Sequence, residues 1–379
     1  MIFRQKIDFL YLSEQDMLNA HVGDMPRCMV AMEEMFKLLY RGDYRMGGPS
    51  NNEHGIRVSF PEESDIPGMP LSKPDYRFMA MPAYLGGQFK AFGIKSYGSN
   101  PDNKNLGLPR SILMFTLMDA VTGAPKAFMS ANILSAMRTG AVTGLGAKYF
   151  CRKGARVMAI VGPGVMGRYA LDSFMAYANS FDTIKVKGRG SSSLNRFVSY
   201  VKSAYPAFKN IVVCESIEEA CRDSDLIYFG TTNAAKFEDN PRIEESWVKP
   251  GATIIGASAL LVDTSFLKRC TLVADNYKMY SGWGAGNPYP TQKTVSTLLG
   301  MGFYDAVCAN CIKEKDIYDL GEIITNNRSV RTSDDQIIMY SVGGMPVEDV
   351  AWACLVYDYA VQNNIGIKLN LWETPELMK

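Results

Sequence analysis

Arg156-Val-Met-Ala-Ile-Val-Gly-Pro-Gly-Val-Met-Gly-Arg168 is the stretch that decides the fold. Val157 to Val161 make an apolar run of strand length, and Gly162-Pro-Gly164-Val165-Met166-Gly167 follows at once. The residues to about Asn179 then place Ala170, Phe174 and Ala178 on one helical face. A glycine turn between a buried strand and an amphipathic helix is a dinucleotide-binding pattern. Its glycines allow a tight turn, close backbone approach to a pyrophosphate, and packing of helix on strand. The helix start adds unpaired N–H groups and a positive dipole end for the anion. Outside that context the same glycines would mark an ordinary turn.

Downstream the pattern alternates. Thr183 to Lys187 reads as a second strand, and Leu194, Phe197, Val198 and Val201 as a helical face ending before Pro206. Ile211 to Val213, Leu226 to Phe229, Thr253 to Ile255 and Leu272 to Val273 are further short apolar strands. This alternation predicts an α/β fold with a Rossmann-type doubly wound parallel sheet. Thr231-Thr232-Asn233 and Gly256-Ala-Ser258 fall at strand ends, where such a sheet binds its ligand. An NAD site usually carries an acid about 20 residues past the glycines, for the ribose 2′-hydroxyl. Here that place reads Lys187-Gly-Arg189-Gly-Ser191-Ser192, which favours NADP(H) over NAD(H) because Arg189 and the serines suit a 2′-phosphate. Residues 276–303, with Tyr280-Ser-Gly-Trp-Gly-Ala-Gly-Asn-Pro-Tyr289, read either as a mobile lid or as a simple insertion.

The whole chain has 379 residues, enough for two domains of ordinary size. Its net charge of +1 gives no electrostatic case for nucleic acid or an anionic membrane surface. No apolar run reaches membrane-helix length, and charges interrupt the first eight residues, so neither a membrane span nor a signal peptide is expected. Eight cysteines are mostly scattered. Cys308-Ala-Asn-Cys311 could begin a zinc site, but it lacks a second pair, and the histidines are His21 and His54 alone. Reduced thiols, no metal and a cytoplasmic location are the expectation.

Upstream, residues 1–50 read as helical after a short start. Ser13-Glu-Gln-Asp16 resembles a helix N-terminus, and Asp24 with Pro26 opens a helix with Met29, Met32, Phe36 and Leu39 on its core face, ending near Gly42. Residues 45–98 are rich in Gly and Pro, with strands expected at Ile56 to Phe60, Arg77 to Tyr84 and Ala91 to Ser96, and a polar loop over 61–77. Gly107 to Met118 and Pro125 to Met129 read as a hairpin about the Asp119-Ala-Val-Thr-Gly123 turn. A helix follows from Ser130 to about Phe150, striped by Ile133, Leu134, Met137, Ala141 and Leu145. Near the end, Ser341-Val-Gly-Gly-Met-Pro-Val-Glu-Asp349 leads into an apolar helix from about Val350 to Gln362.

Two cations stand in apolar sequence. Lys95 is either the snorkelling end of a strand residue or a substrate anchor. Arg138 is either a solvated helix arginine or a buried guanidinium that grips a carboxylate bidentately.

The order of motifs adds to this. Thr122-Gly-Ala-Pro125, Ala136-Met-Arg-Thr-Gly140, the glycine turn and Gly-Gly-Met-Pro-Val-Glu-Asp349 together resemble the ornithine cyclodeaminase/μ-crystallin family. So do Met81-Pro-Ala-Tyr84, Gly93-Ile-Lys95, Gly107-Leu-Pro109, Asp225-Leu-Ile and Lys249-Pro-Gly251. The resemblance implies a Rossmann domain over 131–340, and a mixed α+β substrate-binding and dimerisation domain from 1–130 with 341–379. It implies a homodimer that exchanges hydride between a nicotinamide and the α-carbon of an amino or imino acid, as imine reductases and amino-acid or opine-type dehydrogenases do. Carried over by position, Lys95 and Arg138 would grip the substrate carboxylate and Thr139 would reach the cofactor phosphates. Arg110 and Ser111 stand where the family often has a threonine. The family's N-terminal arginine is Arg57 or Arg45. The glycine turn departs from many members in having Val165-Met166. Cyclodeaminases place an aspartate where this chain has Ser258, which argues against cyclodeamination unless another acid, such as Glu53, replaces it. A cyclodeaminase, or a non-catalytic nucleotide-binding protein of crystallin type, are the other outcomes the resemblance allows.

Overall fold

The computed structural model describes residues 6–73, 75–177 and 180–378. Its elements in chain order begin with β1 (Ile7–Leu12), α1 (Glu14–Asn19), α2 (Met25–Arg41), β2 (Tyr44–Met46) and β3 (Ile56–Val58). Next come β4 (Arg77–Leu85), β5 (Ala91–Ser99), β6 (Ser111–Asp119), β7 (Pro125–Ser130) and α3 (Asn132–Phe150). The glycine turn lies between β8 (Val157–Val161) and α4 (Val165–Tyr177), followed by β9 (Thr183–Lys187), α5 (Ser191–Ala204), β10 (Asn210–Val213), α6 (Ile217–Cys221) and β11 (Leu226–Phe229). A small pair, β12 (Arg242–Ile243) and β14 (Leu261–Val262), flanks β13 (Thr253–Gly256). The remainder is α7 (Thr264–Leu267), β15 (Thr271–Ala274), α8 (Tyr277–Gly284), α9 (Thr291–Thr294), α10 (Leu299–Cys308), β16 (Ile317–Asp319), α11 (Leu320–Thr325), β17 (Ile338–Ser341), α12 (Pro346–Gln362) and β18 (Ile367–Trp372).

The chain forms two compact units. The first comprises residues 1–24, 41–138 and 345–379, and the second residues 25–40 and 139–344. Helix α2 therefore groups with the second unit, although the sequence placed all of 1–130 in the first. Its buried Met29, Met32, Phe36 and Leu39 supply the reason: Met29 Cε would lie 3.1 Å from a Cβ on Gly144 of α3, and Glu33 accepts a hydrogen bond from the Tyr149 hydroxyl at 2.9 Å.

In the first unit a mixed sheet runs β18-β1-β7-β6-β5-β4-β2, with β3 also on β4. Strands β4, β5 and β6 are antiparallel neighbours, whereas β1 joins β7 in parallel. Residues that face each other across antiparallel strands share a side of the sheet. One side, with Met81, Ala83, Leu85, Ala91, Phe115 and Leu117, is buried. Helix α12 packs there, and Gly93 lets it approach, since a Cβ at Gly93 would stand 2.3 Å from Phe115 and 3.1 Å from Val350. The other side leaves Phe78, Ile112 and Met114 exposed, with Tyr11 stacked on Phe128.

In the second unit the sheet is fully parallel, in the order β10-β9-β8-β11-β13-β17-β15-β16. Strand order reverses beside β8, as a doubly wound sheet requires. Strands β8, β11 and β13 carry Ile160, Ile227 and Ile254 at complete burial, which continuous apolar runs covered on both faces predict.

Several local expectations need correction. The short start before Ser13 holds strand β1, strand β2 follows the helix end near Gly42, and β16 and β17 are additional strands. Gly107 to Arg110 are not part of β6: Gly107 takes a left-handed conformation (φ +71°) that closes a 3₁₀ turn over Pro101–Leu106. Helix α12 starts at Pro346 itself. The 276–303 segment consists of α8, α9 and the start of α10, with Tyr277, Met279, Tyr280, Thr291 and Gln292 buried. Pro74 of the 61–77 loop, Ala178 and Asn179 at the expected end of the glycine-turn helix, and residues 1–5 lie outside the described residues.

Candidate active site

Two cations and two carboxylates meet in the first unit. Lys95 projects from β5 onto the α12 side of the sheet and is 2% exposed. Its Nζ lies 2.7 Å from Asp349 Oδ2 and donates to Ser135 Oγ at 3.1 Å. Arg138, in α3 and 4% exposed, places Nε 3.0 Å from Asp349 Oδ1 and Nη1 2.6 Å from Glu348 Oε2. Its Nη2 donates to Ser135 Oγ at 3.3 Å. Asp349 thus joins the two cations, one on each carboxylate oxygen. Glu348 also accepts the Met345 N–H at 2.9 Å, which fixes the first turn of α12.

Burial and the charges sort the two cations differently. Burial lowers the Lys95 ammonium, the Arg138 charge lowers it further, and Asp349 only partly restores it, leaving it near 8. For Arg138, burial also opposes charge, but Asp349 and Glu348 outweigh it and hold the guanidinium above its ordinary value. The pair therefore offers one permanent cation and one group able to exchange a proton close to neutral pH.

Sequence reasoning missed Glu348, Asp349 and Ser135. Acids are ordinary in the first turn of a helix, so the two carboxylates draw no notice by position alone. A stronger signal was present: α12 is apolar on all sides, and a helix of that kind is buried, so acids in it need cations. Residues Pro346 to Cys354 are indeed all buried.

The other residues proposed for substrate are placed apart from this cluster. Arg57 is exposed on β3 opposite Met79, one row along from Lys95 on the same side of the sheet. Arg45 stands opposite Tyr84, on the other side, and its Nη1 donates to the Gly42 carbonyl at 3.0 Å. Of the two arginines, only Arg57 shares the Lys95 side. Arg110 lies 3.4 Å from Asp75, and Ser111 donates to Ser99 Oγ at 3.0 Å. Ser111 is four residues along β6 from Phe115, the Lys95 partner, so the structure does not bring it to the cluster.

In the second unit the cofactor candidates collect at one edge, the carboxyl ends of the parallel strands. The Gly162 N–H donates to the Lys187 carbonyl at 2.9 Å, and the Gly230 N–H to Val161 at 2.9 Å. Thr231 N–H donates to Ser258 Oγ at 2.9 Å, joining the ends of β11 and β13. Thr232, Asn233, Arg189 and Ser191 are exposed there, and Thr139 is half-buried in α3.

The three glycines do different work. Gly162 has φ +102°, and a Cβ there would meet the Gly230 carbonyl at 2.5 Å; a Cβ on Gly167 would meet the Gly162 carbonyl at 2.4 Å. Both are required by packing. A Cβ on Gly164 would meet nothing within 4 Å, and Val165 beside it is 67% exposed, with Met166 half-buried. This leaves open space before the 13-residue helix α4, where a pyrophosphate would need to approach backbone. These residues fit a dinucleotide.

With this geometry in place the comparisons with known proteins can be read. A model of the ornithine cyclodeaminase/mu-crystallin family matches residues 22–364. The chain belongs to that family. N-((2S)-2-amino-2-carboxyethyl)-L-glutamate dehydrogenase of Staphylococcus aureus is 31% identical, covering 78% of this chain and 82% of the relative. Among solved structures, the Thermococcus litoralis Δ1-pyrroline-2-carboxylate reductase in complex with NADH and L-proline superposes with a TM-score of 0.75 at 23% identity, covering 95% of this chain and 99% of that one. An archaeal alanine dehydrogenase dimer with bound NAD gives 0.75 at 24% identity, covering 97% and 100%. The relatives are thus oxidoreductases, and the two structures establish the shared fold. Among the described residues no helix is long and apolar enough to cross a membrane.

Proposed function

We propose that the protein is a nicotinamide-dependent oxidoreductase acting on the carbon–nitrogen bond of an α-amino or α-imino acid. The observation that carries this reading is the buried cluster of Lys95, Arg138, Glu348 and Asp349. When bound, the nicotinamide supplies a hydride to the α-carbon or accepts one from it. Arg138 and Lys95 grip the substrate carboxylate and so fix the α-carbon for that transfer. Lys95, near 8, holds the proton that nitrogen gains on reduction and gives up on oxidation. Asp349 and Ser135 orient both cations. Arg57 adds a third cation on the same side of the sheet. Oxidation of reduced cofactor with a panel of imines, and of keto acids with amines, tests the reading. Failure of every pair to oxidise it would overturn it.

NADP(H) is preferred over NAD(H). Arg189, Gly190, Ser191 and Ser192 are exposed just beyond β9, which ends beside Gly162, and no acid stands among them. The glycine turn would receive the pyrophosphate, with Thr139, Thr231, Thr232 and Asn233 as further cofactor contacts. Equal or tighter binding of NADH than NADPH in fluorescence titration would defeat this part.

Ser258 favours a dehydrogenase or reductase over ornithine cyclodeamination. Its hydroxyl accepts from Thr231 and suits orientation, but it is a poor base near neutral pH. Proline formation from ornithine without net cofactor reduction would reverse this choice.

The functional assembly is a homodimer in a reducing, cytoplasmic setting. The open side of the first unit's sheet exposes Phe78, Ile112 and Met114, and β18 is exposed along its whole length. A contiguous apolar sheet face of this kind is usually covered, and all eight cysteines are free thiols. A monomeric mass by light scattering at micromolar concentration would contradict the dimer.

A further inference from the structure

The side of the sheet that carries Lys95 continues beyond it in regular rows. Lys95 faces Met81 and Phe115, Tyr97 faces Met79 and Leu113, and Ser99 faces Arg77 and Ser111. Side-chain contacts agree with this register: Arg77 Nε donates to the Tyr97 hydroxyl at 3.4 Å, which in turn donates to Met79 Sδ at 3.0 Å. Successive rows are about 7 Å apart along the strands. The part of this side under α12 is buried, whereas Arg77, Met79, Tyr97 and Ser111 are half-exposed.

Those outer rows hold an excess of positive charge. Arg77 Nη1 lies 3.0 Å from Asp75 Oδ1 and Arg110 Nη1 lies 3.4 Å from Asp75 Oδ2, so two guanidinium groups share one carboxylate. Arg57 stands between them and Lys95, in the Tyr97 row. Among the described residues Asp75 is the one carboxylate in ion-pair contact with any of the three. Two guanidinium forks around a single acid leave donors for a second planar anion.

We infer that Arg77 and Arg110 bind a second carboxylate of the substrate, so that the enzyme acts on amino or imino acids bearing two acid groups. This rests on the oxidoreductase reading, with the first carboxylate at Lys95 and Arg138. Arg77 stands two rows from Lys95, on the order of 14 Å along the strand backbone. Arg77 reaches back across that span, since its Nε bonds the hydroxyl of Tyr97 in the intervening row, which leaves about one row, on the order of 7 Å, for a dicarboxylic amino acid or its N-carboxyalkyl derivative.

The rival account is that Arg77 and Arg110 merely pin the loop that ends at Asp75. Calorimetric titration of the full chain with glutarate and succinate, against their monoamides glutaramate and succinamate, separates the two. The proteins compared are the unmodified chain, the Arg77→Gln/Arg110→Gln double variant and Asp75→Asn. The diacids should bind roughly tenfold more tightly than the monoamides, and the double variant should abolish that ratio. Asp75→Asn should keep or raise it, because it removes the competing carboxylate. Equal affinity for diacid and monoamide, no binding of either, or loss of the ratio in Asp75→Asn as in the double variant would each overturn the inference. Cofactor turnover, measured separately, keeps the two claims distinct. Diacid preference without turnover of any amine or imine would sink the oxidoreductase reading, and turnover without diacid preference would sink the second carboxylate site.

Discussion

Asp225 and Asp349 are both buried, and each is held by a lysine and an arginine, yet they are built on opposite plans. Asp225, at the start of β11 in the second unit, accepts the backbone N–H groups of Arg156 at 2.8 Å and Val157 at 3.0 Å. Arg152 and Lys249 complete it at 2.7 and 2.8 Å, and these two side chains stay 33% and 23% exposed. Burial alone would raise this carboxyl, but the bonds from Lys249, the backbone and Arg152 win and hold it near 2. Asp349 instead joins side chains that are as buried as it is, and one of them, Lys95, is pushed down to about 8. In the first arrangement the anion is fixed by backbone and the cations keep their water, so the fold gains. In the second the cations have lost their water, and they depend on Asp349 and Glu348 to offset that cost.

Breaking the second arrangement should have the largest effect. Arg138→Ala leaves Glu348 and Asp349 buried without their guanidinium, so a loss of about 3–5 kcal/mol of stability is expected together with a fall in activity of several orders of magnitude. Lys95→Ala should lower activity by roughly 10²–10⁴ while cofactor binding survives. Thermal unfolding, steady-state rates and cofactor titration report on these. Near-normal turnover in either variant removes that residue from the site.

The clamp should show itself in acid. Asp225 has a folded value near 2 against an ordinary 3.8, so its contribution is complete above about pH 4 and lost as pH falls through 2. The shift corresponds to about 2 kcal/mol. Asp225→Asn should lose about that much at neutral pH and show a flatter melting temperature between pH 4 and 2. An acid limb identical to that of the unmodified protein would deny Asp225 this role. Lys95 has the same slope but starts from a cost, because its lowered value disfavours the folded state below about pH 8. Between about 8 and 10.5 the unfolded chain binds the extra proton, so this group adds stability as pH rises.

A smaller effect sharpens the functional side of the contrast. If Lys95 gives its proton to nitrogen, kcat/KM for imine reduction should fall about tenfold per pH unit above 8, and the oxidative direction should rise toward 8. Lys95→Arg should remove both limbs. A profile flat through pH 8 would leave Lys95 as a carboxylate anchor only.

The glycine turn divides fold from ligand on the finest scale. Gly167→Ala forces a Cβ to 2.4 Å from the Gly162 carbonyl and should destabilise the second unit measurably, whereas Gly164→Ala meets open space and should change stability by less than about 0.5 kcal/mol. A methyl at Gly164 would nevertheless occupy the pyrophosphate approach, so dinucleotide affinity should drop several-fold. Unchanged affinity would place the phosphates elsewhere.

What was legible in the sequence follows from locality. The strand, glycine turn and helix around Gly162 are specified by residues next to one another, and β8 and β9 have the bounds that their apolar runs indicate. Lys95 and Arg138 stood out as cations in apolar surroundings. Their partners did not, because Asp349 is 254 residues from Lys95 along the chain and acids are ordinary at a helix start. The edge strand β18 was hidden for another reason: it is exposed on both faces, so its pattern lacks the buried side that marks a strand. The turn at Gly107 was absorbed into β6 because nothing local separates an apolar loop from an apolar strand.

Helix α3 has a consequence for the order of events during synthesis. A Cβ at Gly140, Gly144 or Gly146 would collide with Tyr169, Ser173 or Tyr340, so the helix is thinned by glycine to fit partners made after it. Each helical glycine costs about 1 kcal/mol of intrinsic preference, and α3 alone would hold its shape poorly in water. The guanidinium of Arg138 waits still longer, because Asp349 emerges from the ribosome 211 residues later. At ordinary elongation rates that is on the order of 10–40 s during which the nascent chain carries the arginine without its carboxylate. A chain cut short before α12 would therefore contain the whole parallel sheet of the second unit and still lack the carboxylates that pair Lys95 and Arg138. The buried charge cluster is completed by one of the last helices to be made.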